Sequence, residues 1–470
     1  MIEERGRRAK EFARFNLAPN LGERIKASLQ PTEVRRGILG FAVALAIITY
    51  VDRVCISQAA PALQEELGLT AAQLGLAFAA FAWAYALFEI PSGWLGDWIG
   101  PRKVLMRVVI MWSVFTAATG CVWNFASLVA ARFFFGMGEA GCFPNLTKAF
   151  MLWLPEQERT RAQSILWLSA RWGGAFTPLL VICVMSWLSW RNTFLLFGLL
   201  GVIWAFCFHR WFRDEARRNG RAAQLEPLEP SPENPVNRPH IPWRTLLSSR
   251  TVWLLWAQYF CLTYGWFFYV TWLPTYLKDT RGLELDQNAL ILWLENLLKQ
   301  LLSPETTRRT SMAALAGIPL FCGGFGAILC GLVTPRLVRA TGSLGRTRQT
   351  TALLGFSGAS VLLVASSYIS DPLLAVLAMG LASFCNDLTV PGSWSTCTDV
   401  GAKYAGTLSG SMNMMGSLGA GVAPLVIGMI LDYSRRNWTL TFWISGIIYL
   451  LGGLCWLWLD PVTPIEAKES

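Results

Sequence analysis

The chain has 470 residues, 53% of them hydrophobic and 15% charged, with a formal net charge of +10 and a mean hydropathy of +0.40. A soluble protein of this length carries about 25% charged residues, so the composition excludes a soluble globular enzyme and points to a polytopic helical membrane protein. The basic excess lies in short loops and tails, where it sets membrane topology; a lipid bilayer is the expected surround, and no nucleic-acid partner is expected.

Residues 1–36 are basic and lack the apolar core of a signal peptide, and they read as a cytoplasmic tail. Apolar stretches near the roughly 20 residues that cross a bilayer follow at 37–59, 71–94, 103–123, 126–154, 160–187, 191–213, 249–277, 312–336, 348–369, 372–397, 404–431 and 438–460. A polar segment at 214–248, with Pro227, Pro230, Pro232, Pro235 and Pro239, divides these twelve spans six and six and reads as a cytoplasmic linker. The expected fold is therefore an all-α polytopic membrane protein of twelve transmembrane helices in two pseudo-symmetric six-helix bundles, at 37–213 and 249–461, packed about a central cavity. Residues 462–470 form a second tail. Arg102, Lys103, Arg159, Arg161, Arg213, Arg336, Arg339, Arg346, Arg348 and Lys403 share one side with both termini, which places the termini in the cytoplasm. Glu65, Glu66, Asn124 and Asp371 mark the other side; Arg191, Arg435 and Arg436 are the exceptions. The protein is expected to be a multi-pass cell-membrane protein, in the inner membrane if its source is Gram-negative, and a monomer.

Span one carries Tyr50-Val51-Asp52-Arg53 at membrane depth, and span two carries Tyr85. Between spans two and three runs Gly93-Trp94-Leu95-Gly96-Asp97-Trp98-Ile99-Gly100-Pro101-Arg102-Lys103, a tight turn in which Gly93, Asp97, Gly100, Arg102 and Lys103 are candidate gating residues. Arg132 and Glu139 lie seven residues apart on one face of span four, Arg171 near the centre of span five, and Asp387 within span ten. A segment at about 289–302, apolar on one helical face and too short to span, is read as an inserted amphipathic helix on the outer side. The loop after span eight, Gly331-Leu332-Val333-Thr334-Pro335-Arg336, echoes the first turn with Pro335 in place of the acid. In span eleven Gly406, Gly410, Asn413 and Ser417 share a face.

Ionisable groups at membrane depth are costly and face a cavity or a partner. A buried arginine offers a planar, permanent charge matched to a carboxylate, so Arg53 and Arg171 are candidate anion clamps. Asp52 and Glu139 are candidate proton sites, with Arg132 beside them. Tyr85, Tyr269, Trp272 and Tyr276 are candidate cavity walls, and Tyr269 and Trp394 join the substrate-binding set. The plainer reading is that these charges only pair with one another to hold the bundles. The 11 cysteines are scattered without metal-ligand spacing, neither His209 nor His240 is placed as a proton carrier, and no phosphate-binding loop occurs. No cofactor, metal or ATP drive is expected.

The turn after span two resembles the G-x-x-x-D-x-x-G-x-R-K signature of the major facilitator superfamily, with Trp98 where a basic residue is usual. Tyr50 to Arg53, Arg132 to Glu139 with Phe143-Pro144-Asn145, Ala170-Arg171-Trp172-Gly173-Gly174, Trp272 to Leu277 and Ala405 to Met414 resemble that superfamily's anion:cation symporters, such as hexuronate, glucarate and galactonate carriers. The resemblance implies that Arg53 contacts the substrate carboxylate, that Asp52 and Glu139 take part in proton coupling, and that Tyr50, Tyr85 and Asn413 sit at the sugar-acid site. The expected function is import of a small organic anion with protons by alternating access, without enzyme activity. An organophosphate/phosphate antiporter is the rival within transport, but span seven, Thr251 to Leu277, has no basic residue opposite Arg53. A transport-inactive anion sensor is the rival of another class, and the tail and linker are short for one.

Overall fold

The computed structural model describes residues 32–218, 243–273, 276–277, 292, 296 and 304–465, and every regular element among them is helical. Of the expected linker at 214–248, residues 219–242 fall outside the described residues, while 214–218 continue a helix and 243–248 form a short one; most of the inserted helix at 289–302 and the outer parts of both tails also fall outside the described residues.

The first bundle contains α1 (Thr32–Leu67), α2 (Ala71–Ile99), α3 (Pro101–Thr119), α4 (Phe125–Glu139), α5 (Cys142–Trp153), α6 (Glu156–Met185) and α7 (Trp190–Arg218). After a short α8 (Trp243–Ser248), the second contains α9 (Arg250–Thr271), α10 (Pro304–Thr341), α11 (Leu344–Ser366), α12 (Pro372–Asp387), α13 (Val390–Gly401), α14 (Ala405–Tyr433) and α15 (Trp438–Trp458). Among the described residues these make twelve spans, because α4 and α5 together cross once and so do α12 and α13. Span four breaks at Ala140-Gly141 with Pro144 in the first turn of α5, and span ten breaks at Leu388-Thr389 with Pro391 in the first turn of α13. Proline fits those positions because the missing N–H has no helical acceptor there.

Starts are fixed by side-chain caps. Thr70 and Gln73 form a reciprocal capping box for α2, Asn124 and Ser127 do so for α4, and Asp371 caps α12. α1 begins five residues before the expected span and runs on through Glu65 and Glu66; at its far end Glu66 accepts from the Trp190 indole at 2.6 Å and pairs with Arg191. The turn between α2 and α3 is made by Gly100 at φ 91°, a conformation that a side chain would strain.

Within the first bundle α1 packs on α6 and α7, α2 on α4, and α3 on α4 and α7; within the second, α9 packs on α14 and α15, and α12 on α10 and α11. The bundles meet along α2–α14 and α6–α10, with α5 reaching α13 and α14 and α6 reaching α13. Large apolar side chains such as Trp83, Leu87, Phe206, Leu354 and Leu425 point outward, a surface suited to lipid chains. Trp123, Trp187, Tyr368 and Tyr433 stand exposed at helix ends, where amphipathic rings sit at a membrane–water boundary.

Candidate functional site

The charged residues of spans one, two and four converge inside the first bundle. Arg53 donates Nε–H to Glu139 Oε1 at 2.7 Å, and its guanidinium carbon lies 4.4 Å from the centre of the Tyr85 ring and 5.7 Å from that of Tyr50. Glu139 is 1% exposed at the side chain and Arg53 is 24% exposed, so the cation is the member of the pair that an incoming ion meets. Asp52 is buried, with neither carboxylate oxygen hydrogen-bonded among the described residues. Arg132 faces it from α4, its guanidinium over the rings of Phe81 and Phe135 at 4.9 and 4.6 Å. The α-helical spacing explains the grouping: Arg132 and Glu139 are two turns apart on one face.

Across the boundary, Asn413 of α14 donates to Tyr85 Oη at 3.2 Å and to Glu89 Oε1, and Ser417 donates to Glu89 Oε2 at 3.4 Å. Glu89 is fully buried. It escaped the sequence reading, although it follows Tyr85 by one helical turn and shares its face.

Arg171 of α6 makes a bidentate pair with Asp387 of α12, Nε to Oδ2 at 2.5 Å and Nη2 to Oδ1 at 2.8 Å. Its guanidinium lies 4.0 Å from the centre of the Trp266 ring, and its Nη1 is 3.5 Å from Tyr50 Oη. Tyr50 thus touches both candidate clamps. Below Arg171, Trp167 stacks on Phe143 at 5.0 Å and packs against Trp394 at 5.4 Å. Trp394 is fully buried and donates to Tyr259 Oη at 2.8 Å. It belongs to an aromatic floor between the bundles. Tyr269 is set apart, buried beside Phe268 and Tyr449 on the Asp387 side of the second bundle.

The Asp97 end holds a second constellation. Gly93 lies against the backbone of Gly406, and Gly410 against the backbone of Glu89, at distances no side chain would fit, so α2 and α14 touch main chain to main chain. This approach lets Asp97 accept from the Gly406 N–H at 3.0 Å, the Thr407 N–H at 2.7 Å and the Thr407 hydroxyl at 2.6 Å. A carboxylate is favoured at such a helix N-terminus, where backbone donors and dipole both point at it. Lys148 pairs with Asp97 at 3.0 Å and donates to the Lys403 carbonyl at 2.5 Å. Trp98, in the place of the usual base, stacks on Trp94 with ring centres 5.3 Å apart. Arg102 and Lys103 begin α3 just past the Gly100 turn. Alongside, Asp399 joins Arg159 of the first bundle at 2.9 Å to Arg348 of the second at 2.7 Å. Lys148 and Asp399 were not singled out in the sequence; a lysine and an aspartate inside the apolar spans 126–154 and 372–397 were the available signals.

The family model described as Major Facilitator Superfamily matches residues 42–424. The chain is 34% identical over 447 residues to "Probable sulfoacetate transporter SauU" of Cupriavidus necator, covering 94% of this chain and 97% of that one. It is 28% identical over 401 residues to the "D-galactonate transporter" of Escherichia coli, covering 82% and 86%. To "Probable galactarate/D-glucarate transporter GarP" of Escherichia coli it is 29% identical over 436 residues, covering 88% and 91%. Among solved structures, the Escherichia coli fucose:proton symporter FucP superposes with a TM-score of 0.63 at 12% identity, covering 90% of this chain and 98% of that one.

Proposed function

The chain belongs to the major facilitator superfamily, and from that premise we propose that it imports a small organic anion together with protons by alternating access. It is a transporter and not an enzyme. The relatives' names include a sulfoacetate carrier and sugar-acid carriers, and the chemistry common to these is a short carbon chain bearing an oxyanion. The observation that carries the proposal is Arg53: a membrane-depth guanidinium, partly open, framed by Tyr50 and Tyr85 and held by a carboxylate that is itself buried. A guanidinium in such a place binds an oxyanion through two parallel hydrogen bonds.

Charge balance supports the coupling. In this region, among the described residues, four buried carboxyl groups, Asp52, Glu89, Glu139 and Asp387, face three guanidinium groups, Arg53, Arg132 and Arg171. Admitting an anion adds a further negative charge. Uncompensated charge inside a membrane is costly, so entry of the anion goes with protonation of a carboxyl, and Glu139, which an anion would displace from Arg53, is the proton site we assign. The bonds of Asp97 and Asp399 across the bundles hold the cytoplasmic side closed in this conformer, with both termini on that side.

The test uses proteoliposomes with imposed gradients. Glu139→Gln is expected to abolish uphill uptake driven by a pH gradient while counterflow exchange persists, because the amide imitates the protonated carboxyl. Concentrative uptake at the wild-type level in that variant would remove Glu139 from the coupling step.

A further inference from the structure

Arg171 has surroundings that a structural ion pair alone does not call for. The indole N–H groups of Trp266 and Trp167, whose rings lie 4.0 and 5.5 Å from its guanidinium, are buried and have no acceptor among the described residues. The hydroxyl of Ser383, one turn before Asp387 on α12, is buried without a partner as well. On the other flank of Tyr50, Arg53 uses Nε on Glu139 while its Nη2 is buried and unpartnered. These donors lie around two guanidinium groups that both touch Tyr50, with Arg53 5.7 Å from the ring centre and Arg171 3.5 Å from the hydroxyl.

We infer that the site formed by Arg53, Tyr50 and Arg171 takes a short-chain dianion, with one acid group on Arg53 and the other on Arg171, and that Asp387 occupies Arg171 in place of the second acid group until the substrate arrives. The inference rests on the transporter reading and narrows its substrate class. Asp387 presents to Arg171 the same planar two-oxygen face that a substrate carboxylate would present. Since Tyr50 touches both guanidinium groups, a short chain with an acid at each end lies along that residue with one acid group on each. The Trp167, Trp266 and Ser383 donors then serve the oxygen atoms that the guanidinium leaves over. Asn386, which donates to Asp387 Oδ1 at 2.9 Å, stays with the displaced carboxyl, which takes up a proton on losing its arginine, as Glu139 does. A monoanion fills only the Arg53 side and leaves the Arg171–Asp387 pair in place. Because that pair joins the two bundles, the second acid group exchanges a contact between bundles for a contact with substrate.

The experiment measures binding by calorimetry to the purified full chain, with malonate and succinate against their monoamides, malonamate and succinamate. Wild-type protein is expected to hold each diacid on the order of tenfold more tightly than its monoamide, the value of one charge-assisted contact. In the double variant Arg171→Gln with Asp387→Asn, which removes the pair without leaving a lone buried charge, the ratio is expected to fall towards one. Trp266→Phe keeps the ring over Arg171 and deletes only the N–H, and the diacid is expected to weaken more than the monoamide. Equal binding of diacid and monoamide by the wild type, or an undiminished ratio in the double variant and in Trp266→Phe, overturns the dianion assignment while any anion binding that Arg53→Gln abolishes keeps the transporter reading standing. Wild-type protein that binds no organic anion overturns both.

Discussion

Asp97→Asn tests how the two bundles are held together. In this conformer the Asp97 carboxylate accepts three hydrogen bonds from Gly406 and Thr407 of the opposite bundle and pairs with Lys148. An asparagine keeps one acceptor oxygen: placed at the Oδ2 position it retains both Thr407 bonds and turns its N–H₂ towards the Gly406 N–H, so one of the three bonds is lost, and with it the charge that pairs with Lys148 and is favoured at the α14 N-terminus. A hydrogen bond to a charged group contributes roughly 1.5–3 kcal/mol, and the upper end, about 3 kcal/mol, applies because the ion pair with Lys148 is lost as well. That corresponds to on the order of a hundredfold in the ratio of the conformers closed and open at this end. Since the bonds exist only when α2 and α14 are apposed, the loss falls on one conformer and leaves the Arg53 site intact. Electron-paramagnetic distance measurements between labels at positions 107 and 339, in a cysteine-depleted background, report the opening. The variant is expected to populate the open distance and to transport slowly, with substrate affinity changed less than in Arg53→Lys. An unaltered distance distribution with normal transport would falsify the latch.

Arg53→Lys retains a positive charge without the planar fork and is expected to weaken anion binding roughly tenfold or more; calorimetry on folded protein checks it, and unchanged affinity makes Arg53 a structural residue. Gly410→Val places a branched side chain against the Glu89 backbone, where no space exists, and is expected to hold the Asp97 end open, read by the same distance between labels at positions 107 and 339. Asp399→Asn removes the acid shared by Arg159 and Arg348. Breaking a buried pair costs about 3–5 kcal/mol, so the melting temperature is expected to fall clearly, and a melting curve superposable on the wild type refutes a structural role for the triad.

Much of the architecture was legible because membrane helices announce themselves by length and apolarity. The breaks at Ala140 and Leu388 were not, since glycine and proline inside a span signal a kink without saying whether the helix restarts. At the site, Arg53, Glu139 and Tyr85 were readable from their depth and their neighbours on one helix, and the structure brings them together. The pairing of Arg171 with Asp387 lies across 216 residues of sequence, and spacing along a helix says nothing about such a distance. Asp97 was conspicuous in its turn, yet its partners are mostly backbone groups of α14, and a backbone donor has no signature in a sequence. Tyr269 shows what a sequence leaves open: an aromatic residue at the right depth carries no mark of which way it faces, and this one is buried against Tyr449 on the Asp387 side.

The latch at Asp97 is unequal in what each bundle supplies. The first bundle provides two side chains, Asp97 and Lys148, while the second answers with the N–H groups of Gly406 and Thr407, the Lys403 carbonyl and a single hydroxyl. Main-chain groups survive almost any substitution. Lys403 contributes through its carbonyl, so its exposed side chain can change without touching that bond, whereas Tyr404, Ala405, Gly406 and Thr407 are buried and held to their size, and Thr407 also to its hydroxyl. A genetic screen for leaky or jammed carriers will recover its single changes mainly at Asp97 and Lys148, and on the other side as loss of the Thr407 hydroxyl or as added bulk at Gly406 or Gly410.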